Sequence, residues 1–216
     1  MAKQKLNYNT VTPQLRKGLE MVMQAKEFKP FRLVGGTALS LQRGHRKSVD
    51  IDMFTDAAYR SIDFAAIENF LRRTYSYVDT NMVGEVALGT SYFVGDSKNE
   101  CIKLDVFYCD AFIQQPLVID GIRMATQDEI VAMKMEVISQ MGRKKDFWDI
   151  HELSEDYSLA QMLHLHKMRH EYTHNKEEII RNLTSFSKAD TDFDPVCLRN
   201  KSWELIKLDI IDFANS

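Results

Sequence analysis

From about residue 125 the hydrophobic pattern of the chain becomes helical and stays so, and this limits the possible folds more than any other feature. Upstream of that point, short apolar runs alternate with helical stretches. Residues 31–34 (FRLV) and 48–55 (SVDIDMFT) read as strands. Residues 77–94 and 101–108 read as strands broken by turns at Gly84 and at Gly95-Asp96. A hairpin is expected to join 111–114 to 117–124 through Pro116 and Asp120-Gly121. Helices fill the gaps. One begins with Thr12 as cap and Pro13 at the first helical position and runs to about Lys26. A second spans Thr37 to about Gln42, and a third spans 61–75 with Ile62, Ala65, Ala66, Asn69 and Phe70 on one side. From Thr126 onward the periodic stretches are all helical, apart from a loop around 185–199. The expected architecture is α+β, with an α+β domain over 1–125 followed by a helical domain over 126–216.

A chain of 216 residues buries roughly 70% of its unfolded surface and needs no covalent staples. Its 44% hydrophobic and 27% charged residues exclude general disorder. No apolar run reaches the roughly 20 residues of a membrane span, and the first residues, MAKQKLNYNT, lack the apolar core of a secretory signal. Cys101, Cys109 and Cys197 have no metal-site spacing and are read as free thiols of a reducing, cytoplasmic compartment. The net charge of −3 argues against a protein that coats nucleic acid, while leaving room for a local basic patch.

The chemistry concentrates in acidic strands. Asp50 and Asp52 are two apart in a strand, so their carboxylates share one face, roughly 7 Å apart at Cα. Val49, Ile51 and Met53 take the other face. In CIKLDVFY, Ile102, Leu104, Val106 and Tyr108 form an apolar face and Lys103 and Asp105 lie opposite. Paired carboxylates repel unless a cation sits between them, and an oxygen-only set suits a hard cation such as Mg²⁺. Three carboxylates on neighbouring strands suit two-metal phosphoryl or nucleotidyl transfer. The alternative is a solvated strand face.

Just upstream, Gly35-Gly36-Thr37 follows a strand and opens a helix, where backbone N–H groups can approach a phosphate. The basic segment Arg43-Gly44-His45-Arg46-Lys47 links this turn to the aspartates. Asp190, Asp192 and Asp194 also alternate, but Pro195 stands where a calcium loop needs Gly and Lys201 where it needs Glu, so they read as a loop and helix start. Downstream, Ile130, Met133, Lys134, Val137, Ile138 and Met141 form one helical stripe, which puts the Lys134 ammonium on an apolar face. A phosphate or a buried carboxylate would satisfy it, and snorkelling to the rim is the remaining option.

These segments together resemble the polymerase-β-like nucleotidyltransferases, and more narrowly the AbiEii/AbiGii toxin family of type IV toxin–antitoxin or abortive-infection systems. LVGGTALSLQRGHRKSVDIDMFT resembles the first motif, KLDVF (103–107) the second, ATQDEIVAMKMEVI (125–138) the third and GRKKDFWDIHEL (142–153) the fourth. Thr37 stands where the superfamily often has Ser, and residues 155–216 carry no recognised motif. The resemblance implies a polymerase-β-like core with a mixed sheet, followed by a helical domain that completes an active-site cleft. It implies transfer of a nucleoside monophosphate from an NTP to an RNA 3′ end, tRNA among the candidates, or to a protein hydroxyl. Mg²⁺ or Mn²⁺ would be the cofactor. Asp50, Asp52 and Asp105 would bind the metal, and with Lys134 they would form the catalytic set. Gly35, Gly36, Thr37, Lys145, Asp146 and Asp149 would hold the nucleotide. A cognate antitoxin acting without stable binding is the implied partner, and no membrane is involved. Antibiotic-modifying nucleotidyltransferases belong to the same superfamily and are an alternative.

A rival from another class is written at 170–174. His170-Glu171-Tyr172-Thr173-His174 matches the H-E-x-x-H pattern, in which two histidines one helical turn apart bind zinc and the Glu serves as general base of a metalloprotease. His166 lies a further turn back. A third ligand at proper spacing is not evident: Glu177 and Glu178 follow too closely, which leaves Glu204 as the open candidate.

Overall fold

The computed structural model describes residues 5–80 and 86–216, so Gly84 and the turn expected there lie outside the described residues. The described chain divides into two compact units. One comprises Met1–Gln42 and Ser48–Ala125, the other Arg43–Lys47 and Thr126–Ser216. The five residues Arg43–Lys47 therefore pack with the helical part of the chain although they sit inside the α+β part of the sequence.

The first unit is built on a seven-stranded mixed sheet. Its strands are β1 (Arg32–Leu33), β2 (Asp50–Thr55), β3 (Tyr77–Thr80), β4 (Gly89–Ser97), β5 (Glu100–Tyr108), β6 (Leu117–Ile119) and β7 (Ile122–Met124). Their order across the sheet is β3-β4-β5-β2-β1-β7-β6. The β2–β5 and β1–β7 pairs are parallel, and the remaining neighbours are antiparallel. Ile51, Met53, Leu104 and Val106 are fully buried on one side of the central pair. Helix α1 (Pro13–Gln24) covers this side: a Cβ on Gly18 would stand 2.6 Å from Ile102 Cδ1, so the helix approaches as closely as a missing side chain allows. The expected cap is present, with the Thr12 side chain accepting from the Leu15 N–H and Pro13 at the first position. Helices α2 (Gly35–Arg43) and α3 (Phe64–Thr74) complete this part of the chain.

Local details depart from the sequence reading. Helix α3 buries Phe64, Ile67 and Leu71, while Ala65 and Asn69 of the expected side are exposed. The larger apolar side chains at i, i+3 and i+7 outweigh the alanines, because burial scales with apolar area. Gly95-Asp96 is not the turn of the β4–β5 hairpin. The strand continues to Ser97 through an irregularity in register, and Lys98-Asn99 form the turn. Residues 111–114 form no strand. The hairpin instead pairs β6 with β7 around Asp120-Gly121, both with positive φ (51° and 80°), the conformation that suits a two-residue hairpin loop.

The second unit holds α4 (Gln127–Ser139), α5 (Lys144–Leu153), α6 (Leu159–Arg169), α7 (Lys176–Leu183) and α8 (Trp203–Ala214). Thr126 caps α4 by accepting from the Glu129 N–H. The unit's aromatic core joins Phe147 and Trp148 of α5 to Phe186 and to Trp203 of α8, with the two indoles stacked at 5.9 Å. The segment Arg43–Lys47 docks through Lys47 N–H to the Val196 carbonyl, Leu198 N–H to the His45 carbonyl and an Arg46–Cys197 bridge. The three cysteines are free thiols, and no helix among the described residues is long and apolar enough to cross a membrane.

Candidate active site

The parallel pairing of β2 with β5 sets the geometry of the acidic face. Asp50 is the Cα partner of Lys103 and Asp52 the partner of Asp105. Because side chains alternate, Asp50, Asp52, Lys103 and Asp105 all project from the same side of the sheet, opposite Ile51, Leu104 and Val106. All four are half-buried, between exposed rim and core.

Two features shape the space around these carboxylates. Gly35, with φ of 66°, lies against Asp52: a Cβ there would stand 2.7 Å from Asp52 Oδ2. Only glycine meets both the left-handed backbone and the close approach of the carboxylate. On the neighbouring strand, Lys103 Nζ donates to Asp105 Oδ2 at 2.5 Å, while Asp105 Oδ1 is buried with no hydrogen-bond partner. Burial alone would lower the Lys103 ammonium's pKa. The Asp105 hydrogen bond, the Asp105 charge and the charges of Asp50 and Asp52 outweigh it and hold the pKa above its ordinary value.

The donor chemistry fits a hard divalent cation: oxygen ligands only, an unpartnered carboxylate oxygen, and a glycine leaving room beside Asp52. As the side chains stand, no group of three or more His, Cys, Asp or Glu among the described residues is drawn together tightly enough to ligate one ion. The sequence reading places Lys103 beside Asp105 on one strand face without making it a site residue. Its place two residues before Asp105 on the same strand face was the available signal.

Gly35 and Gly36 open α2, as the sequence suggested. The Thr37 hydroxyl is buried and turned into the fold, donating to the Asp50 carbonyl and lying 2.8 Å from Ser48 Oγ. It thereby ties α2 to the start of β2.

In the second unit Lys134 is 6% exposed, which removes snorkelling, and its ammonium meets carboxylates. Nζ lies 2.6 Å from Asp146 Oδ1 and 2.6 Å from Asp149 Oδ2. Asp149, wholly buried, also takes both ends of the Arg46 guanidinium, Nε at 2.7 Å and Nη2 at 2.8 Å, and the His45 Nε2 at 2.8 Å. Asp146 caps α5 by accepting from the Arg143 N–H. Desolvation opposes both charges, yet the Asp149 and Asp146 charges push the Lys134 pKa up to about 12. Against the same desolvation, Arg46 and Lys134 hold the Asp149 carboxyl well below its ordinary range. Of the stripe expected with Lys134, Ile130 and Ile138 are buried, but Val137 and Met141 are exposed. Lys145 is half-buried on α5.

The other two clusters separate. Asp190 bonds to Trp203 Nε1, Asp192 to the Lys144 N–H and Asp194 to Lys144 Nζ, so these carboxylates face different donors. The H-E-x-x-H segment does not lie on a helix. α6 stops at Arg169 and residues 171–173 form a turn with Glu171 exposed. The helical spacing that a zinc metalloprotease needs is therefore missing. The buried His166 instead sits between Glu136 Oε2, 2.8 Å from its Nε2, and His174, whose Nδ1 is 2.8 Å from its own Nδ1.

Comparison with known proteins gives the fold a lineage. The chain is 32% identical over 141 residues to an uncharacterized protein of Aquifex aeolicus strain VF5, an alignment covering 62% of this chain and 63% of that protein's length. JHP933 of Helicobacter pylori superposes with a TM-score of 0.58 at 19% identity, covering 95% of this chain and 92% of the other. MenT4, a nucleotidyltransferase toxin of Mycobacterium tuberculosis H37Rv, superposes with a TM-score of 0.53 at 12% identity, covering 91% and 83%. At these identities the structural matches speak for the fold. The family match runs over residues 19–215, nearly the whole chain. The mixed sheet bearing the acidic face and the helices after it thus belong to one lineage, and the chain is a member of the AbiEii family of nucleotidyl transferase toxins of type IV toxin–antitoxin systems.

Proposed function

We propose that the chain transfers a nucleoside monophosphate from an NTP to a hydroxyl acceptor, an RNA 3′ end or a protein hydroxyl, and that it acts in the cytoplasm as the toxin of a type IV pair. The observation that carries this reading is the placement of Asp50, Asp52 and Asp105 on one face of the β2–β5 pair within a member of this family. The three carboxylates would hold Mg²⁺ or Mn²⁺. When bound, the metal supplies charge neutralisation for the phosphates and the departing pyrophosphate.

The chain's own residues do the rest. Asp105 would accept the proton of the attacking hydroxyl, the general-base role such transfer requires, and its one unpartnered oxygen supports that reading. Gly35 leaves room beside Asp52, and the N–H groups of Gly35 and Gly36 at the start of α2 offer donors to a phosphate. Thr37 supports the site by fixing the backbone of Asp50 rather than by offering its hydroxyl to the nucleotide. Lys145 is the cation of the fourth motif proposed to meet the nucleotide. Lys134, Asp146 and Asp149 are proposed to hold α4, α5 and the segment Arg43–Lys47 in register. A cognate antitoxin that acts without stable binding is the proposed partner.

The test is incubation with each labelled NTP, divalent metal and total cellular RNA or protein. Label transferred by the wild type and absent with Asp52→Asn supports the reading, and its location names the acceptor. Transfer undiminished in Asp52→Asn overturns it.

A further inference from the structure

We propose that the Lys103 ammonium is the resident counter-cation of the acidic face, and that it competes with the divalent metal for Asp105. This rests on the proposed metal-dependent function and adds to it a residue that sets how tightly the metal is held.

The pairing register is the first support. Lys103 faces Asp50 across the strand pair and precedes Asp105 by two positions, so its ammonium shares the face of Asp50, Asp52 and Asp105. Such a face is self-repelling without positive charge. The second support is the contact itself. Lys103 Nζ occupies Asp105 Oδ2 at 2.5 Å and leaves Oδ1 buried and unpartnered. A carboxylate held on one oxygen by an ammonium and on the other by nothing is weakly committed, and a divalent ion taking the oxygen that Lys103 holds would displace the ammonium. As the side chains stand, no three acidic groups among the described residues converge on one point, and one Asp105 oxygen is already engaged by the lysine.

Exposure is the third support. The Lys103 side chain is 37% exposed, against 7% for Lys134. A lysine open to water releases its partner at small cost, because water resolvates the ammonium and an exposed pair contributes little. The buried Lys134 cannot do this. The two lysine–carboxylate pairs thus differ in kind: one is fixed, and the other is exchangeable.

The consequence has a sign that a purely structural lysine would not give. Removing the Lys103 charge leaves the face more negative, so the metal binds tighter. The experiment is titration of the full chain with Mn²⁺ alone, without nucleotide, reading free Mn²⁺ by electron paramagnetic resonance. In Lys103→Met the dissociation constant is expected to fall about tenfold, equivalent to ~1.4 kcal/mol. Lys103→Gln keeps a hydrogen-bond donor for Asp105 without the charge and is expected to tighten binding similarly, which guards against a folding defect in the Met variant. Lys103→Arg keeps the charge and is expected to bind as the wild type does. Affinity unchanged or weaker in both neutral variants overturns the competition while leaving the metal site intact. Mn²⁺ binding that is absent, or insensitive to Asp52→Asn, overturns the metal reading and this proposal with it.

Discussion

Asp52 Oδ2 lies 2.7 Å from the point where a Cβ of Gly35 would stand, so the acidic strand and the turn after β1 are fitted to each other at a single missing methyl group. Gly35→Ala is expected to act twice. A side chain at φ of 66° costs about 1 kcal/mol. The added carbon also displaces the Asp52 carboxylate, so transfer activity is expected to fall at least tenfold while the melting temperature drops by only a few degrees. Activity that falls no more than stability does would show that the contact is incidental.

Asp52→Asn keeps the volume beside Gly35 and removes one charge from the acidic face. Nucleotidyl transfer is expected to fall by two or more orders of magnitude, with a circular dichroism melt close to the wild type. Asp105→Asn is expected to behave alike, because Asp105 is the register partner of Asp52.

Lys134→Met is expected to be a stability variant. The substitution leaves Asp146 and Asp149 buried without their shared cation. Breaking a buried pair costs about 3–5 kcal/mol. Arg46 and His45 keep Asp149 partly satisfied, which argues for the lower end. At roughly 2–4 °C per kcal/mol for a chain of this size, the melting temperature is expected to fall by about 6–12 °C. A wild-type melt with lost nucleotide affinity would instead assign Lys134 to the ligand.

The same network fixes a pH window. The Asp149 pKa is depressed in the folded state, so its contribution is present above its ordinary value of 3.8 and is lost as pH falls through the lower folded value. Lys134 is raised from 10.5 to about 12, so its contribution is complete below 10.5 and is lost as pH rises through about 12. The helical unit's stability is expected to be flat with respect to this network between these limits. Denaturant melts of the wild type and Lys134→Met from about pH 2 to about pH 12 check this: their difference is expected to stay constant inside the window and to narrow below its acid edge and above its alkaline edge.

His170→Ala and His174→Ala are expected to leave nucleotidyl transfer unchanged, since residues 171–173 form a turn rather than the helix a zinc protease would need. Elemental analysis finding one zinc per chain, together with a peptidase activity abolished by Glu171→Gln, would overturn that.

The sequence by itself determined what depends on near neighbours. The onset of the helical pattern near Thr126, the cap at Thr12, the Asp120-Gly121 turn and the shared face of Asp50 and Asp52 are all local geometry written in spacing. Ordered motifs carried the family as well. The tertiary structure alone decided which partners the buried charges have. Lys134 was placed on an apolar face by its period, yet whether a phosphate or a carboxylate would meet it was open, because Asp146 and Asp149 reach it only when α5 folds back on α4. Arg46 and Asp149 lie 103 positions apart in the chain, and no periodicity links them. The same holds for Asp52 and Asp105, whose adjacency comes from a parallel register that neither strand encodes alone. A buried charge is satisfied by whichever opposite group the packing brings within hydrogen-bond reach, and that choice is made across the whole chain rather than within any one segment.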